Sequence, residues 1–300
     1  MRAMRFWQLF LVFGLLASAA VAAEINTARG PVDIPDQPQR VAVFDLAALD
    51  TLDRLGIKPA GVPKNLYLPQ LEHLKANAEP VGDIFEPDLE ALSSLAPDLI
   101  MLGGRSSPKL ASTSRVATSI DMTMEGDDLV DQAKLRLADY GKIFGKEAEA
   151  QAIATELDGE IKATRAAVAG KGNALIIMTN GPKVTAYGAG SRFGWVHATL
   201  SLPPAVNAME AVTHGEAVSF EFIHKANPDW LFVVDRAAAI GSGEQGARAT
   251  LDNELVAATT AWRKGQVVYL PSADFYIAAG GIQATQRVLA TIREAFFAAQ

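Results

Sequence analysis

Short runs of apolar and β-branched residues recur along the chain and predict the strands of a sheet. The runs occupy 40–44, 99–102, 174–178, 231–234 and 267–270. Each run is continuous rather than alternating, which is typical of strands that helices cover on both faces. Amphipathic patterns between the runs, such as Leu46 to Leu55 and Leu89 to Leu95, predict helices. The chain is therefore predicted to be an α/β protein.

A longer helical stretch separates the first two predicted strands from the last three. Residues 127–168 are rich in Ala, Glu, Lys, Leu and Arg, and only a Gly-Lys-Ile-Phe-Gly sequence at 141–145 interrupts them. A helix here would connect two α/β lobes, although a surface helix of one large domain would give the same pattern. We predict an amino-terminal lobe over 24–140, an interlobe helix over 141–169 and a carboxyl-terminal lobe over 170–300.

The amino terminus has the pattern of a secretory signal peptide. Arg2 and Arg5 precede an apolar run from Phe6 to Leu16, and small residues follow as far as residue 23. The run is much shorter than the roughly 20 residues that cross a bilayer, so a retained anchor helix is the weaker alternative. We predict that 1–23 is cleaved by the general secretory pathway. The chain has no cysteine for lipid attachment or disulfides, so we expect a soluble periplasmic protein.

A sequence repeat relates the two predicted lobes. Each copy runs from a glutamate through a Pro-Asp pair and an apolar run to an arginine. The paired residues are Glu90 and Glu221, Pro97 and Pro228, Asp98 and Asp229, and Arg105 and Arg236. Each copy predicts a short helix, a turn that stops it, a strand, and an arginine beyond the strand's carboxyl end. Ligands of α/β sheets bind at that end, so both arginines are candidate ligand contacts.

The overall charge limits which ligands the protein can bind. The chain has 27 basic and 34 acidic residues, and removal of the predicted signal peptide makes it more acidic. This balance argues against nucleic-acid binding, and an anion site needs a local concentration of positive charge. Arg105 lies in the sequence Gly-Gly-Arg-Ser-Ser without a nearby carboxylate, whereas Asp235 precedes Arg236 and could pair with it. Converging arginines would bind an anion.

Three more residues are candidates for the same site. Arg192 lies in the glycine-rich stretch 187–194, where backbone can approach a ligand closely, and this stretch lacks the ending of a nucleotide-binding P-loop. His214 precedes a glycine and could be an ordinary turn residue, and Tyr276 follows a predicted strand. Both side chains can donate hydrogen bonds or ligate ferric iron. No histidine or carboxylate pair has the spacing of a self-sufficient metal site, so a metal is expected to arrive chelated.

Known catalytic motifs are missing from the sequence. It contains no G-x-S-x-G elbow, no H-E-x-x-H pair and no cysteine nucleophile. No serine or aspartate lies in a pattern that assigns a nucleophile, a base and an oxyanion donor together. We therefore expect a binding protein rather than an enzyme.

Several of these motifs occur together in one family. They are the stretch 38–50, the two repeat copies, the Gly-Ser-Arg-Phe-Gly sequence at 190–194 and the Ala-Gly-Gly sequence at 279–281. As a set they resemble the siderophore-binding periplasmic proteins of iron ABC importers, in the branch that includes enterobactin-type and petrobactin-type ferric catecholate binders. The resemblance covers nearly the whole chain after the predicted signal peptide.

The resemblance implies a structure and a set of residue roles. It implies two Rossmann-like lobes that a single long helix bridges, as in class III substrate-binding proteins, with the ligand in the cleft between them. Arg105, Arg192 and Arg236 would hold an anionic ferric catecholate. His214 and Tyr276 would ligate the iron when the chelator is tetradentate.

The resemblance also implies partners. Glu90 and Glu221 would dock onto the inner-membrane permease, which works with an ATPase, although a glutamate also favours a helix amino terminus for local reasons. The protein is expected to be a monomer without an intrinsic cofactor, and its Fe(III) would be bound as a siderophore complex.

Other functions remain open at the level of sequence. The protein could instead be a periplasmic binding protein for haem or a cobalamin. For such a ligand an apolar cleft would matter more than a set of three arginines. A periplasmic hydrolase of an anionic ester would use the same arginines but needs a nucleophile or a metal. An adhesion or assembly module would have no cleft.

Overall fold

The structure is a computed structural model and describes residues 23–34, 37–126, 128–207, 209 and 212–299. The predicted signal peptide, 1–23, lies outside the described residues except for its last residue, which begins the first strand. The described chain forms two lobes, each built on a five-stranded sheet with helices against it. The predicted α/β class and the two-lobed architecture are confirmed.

The amino-terminal lobe contains a hairpin and a wholly parallel sheet. The hairpin strands are β1 (Ala23–Thr27) and β2 (Gly30–Ile34). The sheet strands are β3 (Val41–Val43), β4 (Gly61–Val62), β5 (Glu79–Pro80), β6 (Leu99–Leu102) and β7 (Ser119–Asp121), in the order β5-β4-β3-β6-β7. The helices are α1 (Leu46–Arg54), α2 (Leu89–Leu95) and α3 (Leu110–Thr113), with 3-10 turns at Pro69–Ala76 and Gly104–Lys109.

The carboxyl-terminal lobe repeats this strand order with a mixed sheet. Its strands are β8 (Ala174–Asn180), β9 (Lys183–Tyr187), β10 (Glu216–Val218), β11 (Trp230–Asp235) and β12 (Val267–Tyr269), in the order β10-β9-β8-β11-β12. Strands β8, β11 and β12 are parallel, whereas β9 is antiparallel to both of its neighbours. The helices are α6 (Trp195–Leu200), α7 (Phe220–Ala226), α8 (Arg236–Ile240), α9 (Ala247–Leu251), α10 (Glu254–Ala257), α11 (Thr260–Arg263), α12 (Ser272–Tyr276) and α13 (Ile282–Ala298).

Two helices, not one, occupy the connecting stretch. They are α4 (Leu129–Phe144) and α5 (Glu147–Val168), and they pack against each other. Gly145 ends α4 with φ +62°, a left-handed conformation that favours glycine, so the helix predicted over 141–169 begins six residues later. Gly141 permits the close packing, because a carbon on it would lie 2.9 Å from Ala150 Cβ. The lobe boundaries at 140 and 170 stay a prediction.

The two repeat copies have the same local structure. Helices α2 and α7 both end in a left-handed residue, Ala96 and Asn227, directly before the Pro-Asp pair. The Asp98 carboxylate then accepts the N–H groups that precede β3, and the Asp229 carboxylate accepts the Asn173 N–H before β8. Each copy therefore joins its helix and strand to the first strand of its sheet.

Helix α13 links the lobes. It packs on α5, and its Phe296 ring stacks on Trp230 of β11 with centroids 3.6 Å apart. At its amino end α13 meets α1 of the other lobe, where Asp50 accepts the Ala284 N–H at 2.9 Å. The apolar core consequently runs from one lobe into the other. Within the described residues, no helix is both long and apolar enough to cross a membrane.

Candidate anion-binding cleft

A cavity of about 420 Å³ lies between the lobes at the carboxyl ends of the parallel strands. Such ends are where α/β sheets bind ligands. Its lining consists of Asp45, Gly104, Arg105, Thr123, Met124, Glu125, Gly126, Leu129, Arg192, Thr213, His214, Tyr276, Ile277 and Ala279. Residues of both lobes thus face one space, and four of the five ligand-binding residues that the sequence predicts line it.

Tyr276 is surrounded by the three predicted arginines. Its carbonyl oxygen accepts N–H groups from Arg105 at 3.2 Å and from Arg192 at 3.3 Å, and its phenol oxygen accepts the Arg236 Nε–H at 3.3 Å. The guanidinium carbons lie 4.9, 5.0 and 6.0 Å from the ring centroid. Cations near an aromatic face are stabilised by the ring electrons. The structure therefore brings Arg236 to the cleft through Tyr276, although Arg236 does not line the cavity itself.

The arginines change the acid–base properties of this tyrosine. Burial alone raises the pKa of Tyr276, but the hydrogen bond from Arg236 and the charges of Arg105 and Arg236 outweigh burial and hold the pKa below its usual range. Burial, followed by the charge of Arg105, lowers the pKa of Arg192. The site thus favours negative charge at the phenol oxygen and in the adjacent space.

A buried carboxylate holds the segment that carries Arg105. Asp121, at the end of β7, accepts hydrogen bonds from Ser107 and Thr123, and from Arg29 Nε at 3.0 Å. The Thr123 hydroxyl in turn accepts the N–H of Gly104 at 2.9 Å. These bonds lower the pKa of Asp121 despite its burial. Gly104 and Ser107, which flank Arg105, are therefore held in place by hydrogen bonds. The Arg105 side chain itself extends to the other lobe, where it contacts Tyr276 and Ile277.

Aromatic packing positions Arg192 and Tyr276. Phe193 stacks on Phe275 with ring centroids 4.5 Å apart, and Tyr187 contacts the Phe193 ring at the same distance. Trp195 lies 5.7 Å from Phe275. Phe193 directly follows Arg192, and Phe275 directly precedes Tyr276. The packing of these two rings therefore fixes where the Arg192 and Tyr276 side chains emerge.

Asp235 does not pair with Arg236, as the sequence had suggested it could. Its carboxylate caps α8 through the Ala238 N–H at 3.0 Å and accepts the Ala247 N–H at 2.7 Å. Arg236 instead donates to Asn180 Oδ1 at 2.9 Å and to Tyr276. Both of these hydrogen-bond partners are neutral, and no carboxylate of the described residues forms a salt bridge with Arg236.

His214 lies at the edge of the cavity on an exposed loop. The loop is fixed by the Thr213 carbonyl, which accepts the Arg192 N–H at 3.3 Å, and by Gly215, whose φ of +70° favours glycine. His214 and Tyr276 therefore line one space. Among the described residues there is no group of three or more His, Cys, Asp or Glu that could hold a metal ion.

Glu90 and Glu221 lie outside the cavity. Both are exposed and occupy the first turn of a helix, α2 after the Asp88 cap and α7 after the Ser219 cap. A hydrogen bond from Ser219 lowers the pKa of Glu221. Each helix begins on the side of its sheet where the parallel strands end, which is also the side of Arg105 in one lobe and of Arg236 in the other.

Sequence reasoning missed part of the lining. Asp45 and Glu125 are the charged residues among those missed, and Met124, Leu129 and Ile277 add apolar surface. Asp45 could have been found because it follows β3 as Arg105 follows β6, at the point where the strand order reverses. A second hollow, of about 560 Å³, contains Arg248, but that guanidinium already lies 4.0 Å above the Tyr269 ring.

Comparisons with known proteins agree with this architecture. The profile of the periplasmic binding protein family matches residues 41–273. Petrobactin-binding protein YclQ of Bacillus subtilis is 34% identical over 267 residues, 87% of this chain and 83% of YclQ. Its crystal structure matches with a TM-score of 0.86 over 92% of this chain and 98% of that one.

Two further relatives are similar over most of their length. Ferric-anguibactin-binding protein FatB of Vibrio anguillarum is 31% identical and covers 87% of this chain and 83% of FatB. The catecholate-siderophore binding protein VctP of Vibrio cholerae is 32% identical, with a TM-score of 0.85 over 91% of this chain and 99% of that one. The protein therefore belongs to the periplasmic binding protein family.

Proposed function

We propose that this protein is the periplasmic substrate-binding component of an iron ABC importer, and that it captures a ferric siderophore of the catecholate type. The observation that carries this proposal is the convergence of Arg105, Arg192 and Arg236 on Tyr276. None of the three arginines forms a salt bridge with a carboxylate of the described residues. The relatives support it, because petrobactin, ferric anguibactin and a catecholate siderophore are the ligands in their names. These relatives are binding proteins, and we propose binding without catalysis.

The charges fit this ligand. A ferric tris-catecholate carries three negative charges, and three arginines would face it. A close pair of charges at a partly wet site is worth up to about 4 kcal/mol before the cost of desolvation. The arginines are already in place, so little reorganisation opposes binding. Haem and the cobalamins present mainly a large macrocycle, which calls for an apolar cleft more than for three arginines.

The iron itself can contact the protein when the chelator leaves positions open. A tetradentate bis-catecholate leaves two coordination positions of Fe(III) free, and His214 and Tyr276 line the same cavity. The lowered pKa of Tyr276 supports a phenolate ligand, since a metal-bound phenol must lose its proton. We assign these two residues to iron for such ligands only.

Docking to the permease is proposed for Glu90 and Glu221. Both are exposed, one lies on each lobe, and each occupies the first turn of its helix. A matching pair of charges on two lobes suits a permease with two similar halves.

Ligand titration of the purified mature protein tests the binding function. Quenching of Trp195, Trp230 and Trp262 would be followed with a ferric tris-catecholate, a ferric bis-catecholate, a ferric hydroxamate and haem. We expect submicromolar saturable quenching by the catecholates. Arg105→Ala, Arg192→Ala and Arg236→Ala should each weaken the tris-catecholate roughly 10- to 100-fold, because each removes a charge-assisted contact.

Two controls make this result specific. Arg248→Ala removes an arginine outside the cleft and should leave affinity unchanged. Of the four ligands, only the bis-catecholate should give a new charge-transfer absorption band when it binds the protein. Tyr276→Phe should abolish this band. Unchanged affinity in all three cleft variants, or tighter binding of haem than of any catecholate, would contradict the proposal.

A further inference from the structure

The amino-terminal hairpin contacts the segment that carries Arg105, although none of its described residues lines the cavity. At the hairpin turn, the Ala28 N–H donates to the Asp121 carbonyl at 2.8 Å. Arg29 donates through Nε to Asp121 Oδ2 at 3.0 Å and through Nη2 to Ser107 Oγ at 3.1 Å. The hairpin is therefore fastened to the end of β7, the edge strand beside β6.

The hairpin holds Arg29 in one place. Ile25 and Ile34, one on each strand, are buried in the apolar core. The Thr27 hydroxyl accepts the Arg29 N–H at 3.0 Å and donates to the Gly30 carbonyl at 2.7 Å. Gly30 completes the turn with φ +102°, a conformation that favours glycine. The backbone at Arg29 is thus set by the turn and by the core beneath it.

The contact of Arg29 with Asp121 is not needed to satisfy the buried carboxylate. The Asp121 side chain is 1% exposed and already accepts hydrogen bonds from Ser107 and from the hydroxyl and N–H of Thr123. The Arg29 side chain is 61% exposed, and an ion pair with an exposed cation adds little to stability. The specific effect of Arg29 is to join Asp121 to Ser107, and so to fasten the turn Gly104–Lys109 onto the end of β7.

This turn carries Arg105, two residues before Ser107. From there the Arg105 guanidinium reaches the backbone carbonyls of the other lobe. Arg136 of α4 provides a second tie between the hairpin and this end of β7, because it donates to the carbonyls of Asn26 and Thr123. A continuous set of hydrogen bonds therefore leads from the hairpin to an arginine of the cleft.

We propose that Arg29 is a positioning residue for ligand capture: it does not touch the ligand, and it sets the place of Arg105 through Ser107 and Asp121. This inference rests on the proposed function and adds to it a residue outside the cleft. A donor that is already held in place loses less entropy when the ligand binds. Without Arg29 the turn would sample more positions, and Arg105 would contribute less to binding.

A double-mutant cycle tests this role in the purified protein, with a ferric tris-catecholate as the ligand. Arg29→Gln should weaken binding roughly three- to tenfold. In the Arg105→Ala background the same change should cause no further loss, because the residue through which Arg29 acts is absent. In the Arg236→Ala background it should again weaken binding by the factor seen in the wild-type background. Loss of a positive charge acting at long range would instead weaken binding in every background.

Three further variants separate position from charge and from folding. Ser107→Ala removes the shared hydroxyl without changing any charge, and it should also weaken binding except in the Arg105→Ala background. Arg54→Gln removes an exposed arginine that pairs with Glu156 at 2.7 Å away from the cavity, and it should leave affinity unchanged. Arg29→Gln should unfold in urea near the wild-type midpoint. If that variant does not fold, Arg29→Lys takes its place, since lysine keeps the charge and lacks the planar pair of donors.

Failure of the positioning role can be told apart from failure of the proposed function. If the wild-type protein does not bind the tris-catecholate, the proposed function is wrong. If the wild-type protein binds it and Arg29→Gln keeps full affinity, Arg29 has no positioning role and the binding function stands. The same conclusion follows if Arg29→Gln weakens binding as much in the Arg105→Ala background as in the wild-type background.

Discussion

Tyr276 allows three arginines to lie close together without a carboxylate between them. Its carbonyl dipole and ring face offset part of the repulsion among the guanidinium groups. The remaining repulsion would be relieved when an anion enters. The aromatic packing beside Tyr276 holds the arginines in positions that suit an anion.

The raised pKa of Asp45 predicts that the stability of the folded protein depends on pH. Its pKa is raised from 3.8 to about 6 in the folded chain, so the folded state binds a proton more tightly than the unfolded state. This contribution is full below about pH 4 and is lost as pH rises through 6. The charges around the carboxyl group are those of Arg105 and Asp121, and Tyr140 lies near it.

Asp45→Asn should therefore change the free energy of unfolding of the ligand-free protein more favourably at pH 8 than at pH 4. The difference between the two changes should be up to about 3 kcal/mol. Urea unfolding of both proteins at the two pH values measures this difference, with Asp88→Asn as the control. If Asp45→Asn changes the free energy of unfolding equally at pH 4 and pH 8, burial does not raise the pKa of the Asp45 carboxyl group.

Helix α13 lacks a capping side chain of its own. Its cap position is Gly281, and the amino-terminal lobe supplies the acceptors instead: Asp50 for the Ala284 N–H and Thr51 for the Ile282 N–H at 3.2 Å. Gly281 is required for this approach, because a carbon there would lie 2.7 Å from Asp50 Oδ2. One helix terminus therefore ties the two lobes together.

Arg287 neutralises the carboxylates at this junction. It donates to Asp50 at 2.7 Å and, through two nitrogens, to Asp274 at 2.8 and 3.0 Å. Asp274 lies on α12, two residues before Tyr276. The junction therefore connects the interlobe contact to the helix that carries the central tyrosine.

Arg287→Ala should destabilise the protein at pH 7.5 by about 3 kcal/mol, because it leaves two buried carboxylates without a cation. Burial raises the pKa of Asp50 to about 6 even beside Arg287, so protonation should recover part of the loss at pH 5. Urea unfolding at both pH values tests this, with Arg293→Ala on the same helix as control. A loss below 1 kcal/mol at pH 7.5, or an equal loss at pH 5, would be inconsistent with this account.

At the scale of the whole molecule, the repeat gives the two lobes the same strand order. Each lobe has an arginine and a helix amino terminus at the side of its sheet where the parallel strands end. The proposed ligand capture and permease docking would therefore use the same side of each sheet. Exposed charges at the rim of an interface affect association more than folding.

The double variant Glu90→Arg and Glu221→Arg should bind ferric catecholate with wild-type affinity and fail to support its import. The measurement is uptake of radioactive iron by cells in which the variant is the sole source of this chain. Glu294→Arg, an exposed change on α13, should leave uptake intact. Normal uptake by the double variant would remove these two residues from the docking surface.

Local patterns in the sequence predict the α/β class, the repeated unit and the positions of the five strands β3, β6, β8, β11 and β12. These features depend on local patterns, since a continuous apolar run predicts a covered strand and a Pro-Asp pair ends the preceding helix. The amino-terminal hairpin and strands β4, β5, β7, β9 and β10 lie outside the predicted runs and were missed. The break at Gly145 shows the same limit, because the sequence marked an interruption and could not say that a new helix begins there.

Only the tertiary structure decided how the cleft is assembled. Tyr276 meets Arg105 across more than 170 residues of chain, and Asp50 meets Arg287 across more than 230. Such contacts follow from how two sheets and α13 pack, so no local pattern encodes them. The repeat in the sequence proposed Arg105 and Arg236 as a pair of anion contacts, and the glycine-rich stretch added Arg192 as a separate candidate. The convergence of these arginines on one tyrosine follows from the tertiary packing of the two lobes.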